Sequence, residues 1–162
     1  MRKALRLTIP IAVVGAALAA ATGLASGQSA SDVASGDAAA GPMWATVNAC
    51  TPTEAGMRAS LPGDGSDAQM EVRFTAQYYS HAQGAWLPVA GAATSPWLSA
   101  GSAEYEWGQA GWTFTFTRPA QGTNFLIRGL AEMRWTQGGR VVRSATRVTS
   151  SAAGRGSCLF QG

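Results

Sequence analysis

The sequence predicts an all-β fold, a single antiparallel sandwich of about seven short strands. Three observations lead there. Downstream of residue 43 no stretch repeats its apolar residues with the 3.6-residue period of a helix, whereas several alternate with period two. Clusters of Gly, Pro, Asp and Ser separate those stretches and read as turns. Two of the stretches, within Asn124 to Val148, are joined by Gly138-Gly139, which can supply the positive φ angles of a tight hairpin turn.

The first 42 residues stand apart. Arg2, Lys3 and Arg6 precede an apolar run from Leu7 to Ala21, and small residues continue to Ala25. This is the pattern of a secretory signal peptide, residues 1–25, cleaved after Ala25, and it places the mature protein outside the cell. The run is rich in Ala and Gly and contains Pro10, which favours a cleaved leader over a retained membrane span. No cysteine stands at the cleavage point for lipid attachment, and Arg2-Lys3 is not a twin-arginine pair. Residues 26–42 hold one large aliphatic side chain, Val33, and read as a flexible tether. The β-domain is then expected over residues 43–162.

Charge excludes one class of function. The chain has 12 basic and 9 acidic side chains, but Arg2, Lys3 and Arg6 belong to the leader, which leaves nine of each. The basic isoelectric point comes from the leader and does not argue for a nucleic-acid partner. What remains is segregated along the chain, with acids dominating up to Thr117 and arginines from Arg118 onward. Lysine is missing after the leader while Ala and Gly abound, a bias attributable to a GC-rich bacterial genome. Cys50 and Cys158 are the only cysteines, and in an exported chain they are expected to form a disulfide. With two cysteines and one histidine, His81, no zinc site is expected, and no cofactor motif is present.

The strands follow in order. Trp44 to Asn48 is the first; Gly56 to Leu61 alternates and is closed by the turn Pro62-Gly63-Asp64-Gly65. Met70, Val72, Phe74, Ala76 and Tyr78 then alternate with polar residues, the cleanest strand of the chain. Ala85 to Val89 is short, and Pro88 confines it to an edge. Gly91 to Gly108 has no period and is left as irregular structure. Gly111 to Thr117 sets Trp112, Phe114 and Phe116 inward against Thr113, Thr115 and Thr117. The hairpin comes next, and Ser157 to Phe160 returns the second cysteine to the body.

In the hairpin, Phe125, Ile127, Gly129, Ala131, Met133 and Trp135 share one parity and Arg128, Glu132, Arg134 and Thr136 the other. A regular ladder beyond a Gly138-Gly139 turn would set Trp135 against Val142, Met133 against Ser144 and Arg134 against Arg143. One side of the ribbon would then be apolar and the other rich in arginine.

This order of strands, with a long penultimate strand closing in a hairpin, resembles an immunoglobulin or fibronectin type III-like sandwich over Trp44 to Thr149. Met133-Arg134-Trp135 followed by Gly139-Arg140-Val141-Val142-Arg143 also resembles small exported domains of high-GC bacteria. The cysteines lie near the ends instead of on opposing central strands, and no tyrosine stands two residues before the second one, both departures from the immunoglobulin pattern. The resemblance implies architecture and leaves function open.

Catalytic constellations are sparse. A nucleophile system would have to use His81, which lies in a polar loop without a G-x-S-x-G elbow. Glu104 with Glu106, or Glu71 with Glu132, could pair as glycosidase carboxylates but read better as solvated acids. Asp64 to Asp67 looks like the start of a calcium loop, yet its twelfth position is Thr75 where a bidentate carboxylate is needed.

Two sets of side chains remain as binding candidates. Arg128, Arg134, Arg143 and Arg147 would share the outer face of the hairpin and suit an anionic cell-envelope polymer or another secreted protein. Trp86, Trp97, Tyr105 and Trp107 lie outside the clean strands and could form an aromatic platform for a glycan. The expectation is a secreted, non-enzymatic binding or interaction module acting at or outside the cell envelope through its arginine face. A carbohydrate-binding module is the first alternative, and a secreted hydrolase or enzyme inhibitor the second.

Overall fold

A three-stranded and a six-stranded antiparallel sheet form the domain in the computed structural model, which describes residues 43–91, 94–151 and 154–162. The expected signal peptide and tether lie outside the described residues. The strands are β1 (Trp44–Cys50), β2 (Glu54–Pro62), β3 (Gln69–Ser80), β4 (Ala85–Pro88), β5 (Leu98–Ser102), β6 (Trp107–Thr115), β7 (Asn124–Gln137), β8 (Arg140–Val148) and β9 (Cys158–Gln161). The described residues contain no α-helix, as the missing 3.6-residue period requires.

One sheet has the order β1-β2-β6 and the other β4-β3-β7-β8, with β5 also pairing β3 and β9 also pairing β7. The long β3–β7 ladder, from Gln69↔Thr136 to Tyr78↔Ile127, is the spine of the larger sheet. Period two decides which residues lie between the sheets. Met70, Val72, Phe74 and Ala76 of β3 and Ile127, Ala131, Met133 and Trp135 of β7 are buried against Ala55, Met57, Ala59 and Leu61 of β2. Trp135 is fully buried and keeps its indole N–H satisfied by donating to the Pro62 carbonyl at 3.1 Å. Gly129 sits where β2 comes close: a Cβ there would lie 2.5 Å from Met57 Sδ and 2.9 Å from Thr149 Cγ2.

Two strands exceed the sequence expectation. β5 arises in the segment without a period, where Leu98 and Ser99 extend the edge of β3, and β9 is the short return of Cys158. The disulfide between Cys50 and Cys158 ties β1 in one sheet to β9 in the other, with 5.5 Å between the Cα atoms.

The register of the hairpin differs from the regular one. Gly138 and Gly139 both take positive φ, 55° and 76°, and form the turn, so that Gln137 faces Arg140 and Thr136 faces Val141. A β-bulge then absorbs Val142, and Trp135 stands opposite Arg143, Arg134 opposite Ser144 and Met133 opposite Ala145. One extra residue exchanges the faces of everything beyond it. Arg143 and Arg147 therefore share the face of Trp135 and Ala131, while Arg128 and Arg134 lie on the other, and the four arginines do not form one surface. The position of β6 also modifies the inward row. Trp112 has the inward parity, opposite Met57, but β6 is the last strand of its sheet and leaves Trp112 37% exposed.

Candidate functional site

The outer face of the six-stranded sheet is built from the polar parity of β3 and β7. Glu71 faces Arg134, Arg73 faces Glu132 and Gln77 faces Arg128 along the ladder. Each pair is in contact. Arg134 Nε donates to Glu71 Oε2 at 2.8 Å; Arg73 donates through Nε and Nη2 to the two oxygens of Glu132 at 3.0 and 3.1 Å; Arg128 Nε donates to Gln77 Oε1 at 2.9 Å. The order along each strand is crossed, acid then base on β3 and base then acid on β7 in the opposing positions. Acid-rich and arginine-rich halves of the sequence are thereby interleaved, and the charge segregation read along the chain is undone here by strand pairing.

Two tryptophans lie on these arginines. Trp97 precedes β5, which runs beside β3, and its ring centroid is 3.9 Å from the Arg134 Cζ and 4.7 Å from the Arg73 Cζ. Trp86 on β4 is opposite Tyr79 and lies 4.3 Å from the Arg128 Cζ. Tyr79 meets Trp86 edge-on at 5.4 Å. Guanidinium planes on indole faces attract through the ring quadrupole and hold each other's orientation, so these long side chains are fixed. Burial lowers the pKa of Arg128 from its ordinary value, but the guanidinium stays charged at any physiological pH.

The two candidate sets are thus redistributed. Trp86 and Trp97 join Arg128 and Arg134 on one face, and Arg73, Glu71 and Gln77 complete it. Sequence reasoning passed over Arg73 and Gln77 as binding residues, although both share the outward parity of the clean strand. Tyr105 and Trp107 lie elsewhere, at the entry to β6, exposed by 70% and 53%; Trp107 is paired with Pro62. Arg143 stacks on Trp135 at 4.4 Å, and Arg147 donates to the Thr146 carbonyl at 2.9 Å.

The catalytic candidates find ordinary partners. Glu71 and Glu132 are the ion-paired carboxylates of the face just described. Glu104 and Glu106 are exposed in the turn before β6, and His81 is exposed in the β3–β4 turn with its ring 5.1 Å from Tyr79. Asp64 Oδ1 accepts the Ser66 N–H at 3.0 Å, closing a local turn. Among the described residues no group of three or more His, Cys, Asp and Glu side chains is placed to hold a metal ion.

Two clefts open at the end of the sandwich away from the hairpin turn. One, of about 260 Å³, is lined by Tyr78, Val89, Phe116, Phe125, Ile127 and Phe160 among others and is almost wholly apolar. The second, of about 290 Å³, lies between Val89-Ala90 and the β6 residues Trp112 to Thr115.

Neither a protein-family model nor a curated protein matches the chain. Among solved structures it is similar to a glycosyl hydrolase family 2 member from Bacteroides cellulosilyticus DSM 14838, with 10% identity and a TM-score of 0.37 over 65% of this chain and 14% of that one. It is also similar to a putative beta-galactosidase from Bacteroides fragilis, with 12% identity and a TM-score of 0.32 over 65% of this chain and 15% of that one. The chain thus spans only a small part of the length of either protein.

Proposed function

We propose that the protein is a non-enzymatic binding module, exported from the cytoplasm, that holds a glycan across the outer face of its six-stranded sheet. The observation that carries this reading is the stacking of Trp97 on Arg134 and Arg73 and of Trp86 on Arg128, in one stripe with Glu71, Glu132 and Gln77. A sugar ring offers an apolar C–H face and a rim of hydroxyls. Indole edges and faces suit the first; fixed guanidinium donors and carboxylate or amide acceptors suit the second.

Charge selects among ligands. Three arginines on the stripe meet two glutamates, each already ion-paired, so recognition rests on stacking and directional hydrogen bonds more than on net charge. A neutral or weakly acidic polysaccharide fits this balance better than a polyanion. The strand order supports an immunoglobulin or fibronectin type III-like sandwich: β1-β2-β6 against β4-β3-β7-β8 follows the A-B-E and C′-C-F-G succession. The Cys50–Cys158 bridge and the leader-like first 25 residues support an oxidising compartment. The pairing of Glu71 and Glu132 with arginines supports a binding role over acid-base catalysis.

An immobilised-glycan array followed by calorimetry at low and high salt tests the proposal. Binding that Trp97→Ala and Trp86→Ala remove without unfolding, and that salt weakens little, is expected. Absence of glycan binding by the parent protein overturns it, and retention only on anionic polymers at low salt returns the function to charge.

A further inference from the structure

A β-sheet edge is a row of unpaired N–H and C=O groups, and proteins ordinarily blunt such rows with charge, proline, shortness or cover. Three of the edges here are blunted. The segment after β8 covers the outer edge of β1: Val47 and Arg155 exchange backbone hydrogen bonds at 2.7 and 3.1 Å, and the Ser150 N–H donates to the Ala45 carbonyl at 2.9 Å. β4 is four residues long and ends on Pro88. β8 carries Arg140, Arg143 and Arg147 and a bulge at Val142.

β6 has none of these devices. Its nine residues pair with β2 on one side, and among the described residues no strand pairs with it on the other. From Trp107 to Thr117 the chain holds no charged residue and no proline. Ala110, Trp112 and Phe114 have the inward parity, opposite the buried Ala59, Met57 and Ala55, while Gly111, Thr113 and Thr115 point outward. The cleft between β6 and Val89-Ala90 opens beside this edge, and the 37% exposed Trp112 lies in its wall.

We propose that β6 is a homodimerisation edge, at which two copies of this chain pair antiparallel about a two-fold axis and join their three-stranded sheets into one of six. The charge pattern selects a second copy as the occupant. An isologous antiparallel contact places the residue a given number of positions before the axis against the residue the same number after it, so like charges on or flanking the axis would meet across it. An uncharged strand escapes that penalty, whereas self-pairing of the arginine-bearing β8 would incur it. Parity is also self-consistent. With the axis at Trp112, Phe114 faces Ala110, Thr113 faces Gly111 and Thr115 faces Gln109, so apolar side chains remain on the cleft side and large residues meet small ones. The two Trp112 side chains would meet at the axis and lose their exposure.

Sedimentation equilibrium of the purified protein tests this, with Thr113→Lys, whose two copies would lie diagonally across the axis, alone and combined with Thr115→Lys, as outward-facing edge charges that leave the core untouched and Ser144→Lys on β8 as control. The parent and Ser144→Lys proteins are expected to dimerise with rising concentration, and the β6 lysine variants to remain monomeric with an unchanged circular dichroism spectrum. Should a lysine variant fail to fold, hydrogen exchange on the parent decides, with amide protection from Gln109 to Thr115 rising with protein concentration. A parent protein monomeric up to millimolar concentration, or a dimer indifferent to the β6 lysines, overturns the proposal.

Discussion

Arg134 stands directly across the β3–β7 ladder from Glu71, and its Nε donates to the carboxylate at 2.8 Å. The residue that a regular hairpin would have set against it, Arg143, is on the other face. Removing Arg134 therefore relieves no repulsion with Arg143 and strands Glu71. Arg134→Ser and Glu71→Gln are each expected to lower stability by about 0.5–1 kcal/mol, because the pair is only about three-quarters buried and partly screened. A double-mutant cycle in urea checks it; a coupling of zero, or a raised melting temperature for Arg134→Ser, contradicts the pairing.

Phe74 is fully buried at the centre of β3, and Phe74→Ala is expected to cost roughly 3–5 kcal/mol. Phe114 is 4% exposed but lines the open cleft beside β6, where neighbours can relax into the space, so Phe114→Ala should fall at the low end of that range. Chemical denaturation gives both values, and equal losses near zero would mean that the inward rows have been misassigned.

Thr149 links the end of the hairpin to its neighbour strand. Its Oγ1 accepts the buried Gly129 N–H at 3.0 Å, and its own hydroxyl donates to the Gly156 carbonyl at 2.5 Å. Thr149→Val keeps the shape and deletes the acceptor, which is expected to cost about 1–3 kcal/mol for the stranded amide. Thr149→Ser should recover most of it. Equal melting temperatures for the Val and Ser variants would show that the hydroxyl does not matter.

Asp64 provides a pH signature. Hydrogen bonds from Ser66, first its side chain and then its backbone, hold the carboxyl below its ordinary value of 3.8, and the charge of Arg143 adds to the effect. A depressed folded-state pKa gives stability that is present above the unfolded value and is lost as pH falls through the folded one. Asp64→Asn should therefore flatten part of the decline in melting temperature below about pH 4 and leave the slope near neutrality unchanged. Parallel acid limbs for parent and variant would contradict it.

Period two was enough to read the long strands and their inward rows, because Phe74, Met133 and Trp135 have polar neighbours on both sides. The tight turn was equally legible, since Gly138-Gly139 leaves few alternatives. The bulge was not: nothing in Val141-Val142-Arg143 distinguishes which valine drops out of the ladder, and that single residue decided the face of Arg143 and Arg147. The candidate site was legible in its parts but not in its assembly. Trp97 lies in a stretch without a period, and only the pairing of β5 with β3 brings it to Arg73 and Arg134, which are distant in sequence.

The Cys50–Cys158 bridge also determines how the domain responds to a mechanical load. Once the ends outside the bridge are drawn taut, tension applied between residue 43 and residue 162 runs along β1, crosses the sulfur atoms and leaves through β9, so the chain between the cysteines, a separation of 108 positions, is not extended by it. With the bond intact only the short ends can pay out, at no more than about 3.6 Å per residue. Reduction removes the shunt and puts the whole sandwich under load, which makes the thiol state of this one pair the setting that decides between an inextensible link and a long, unfolding spring.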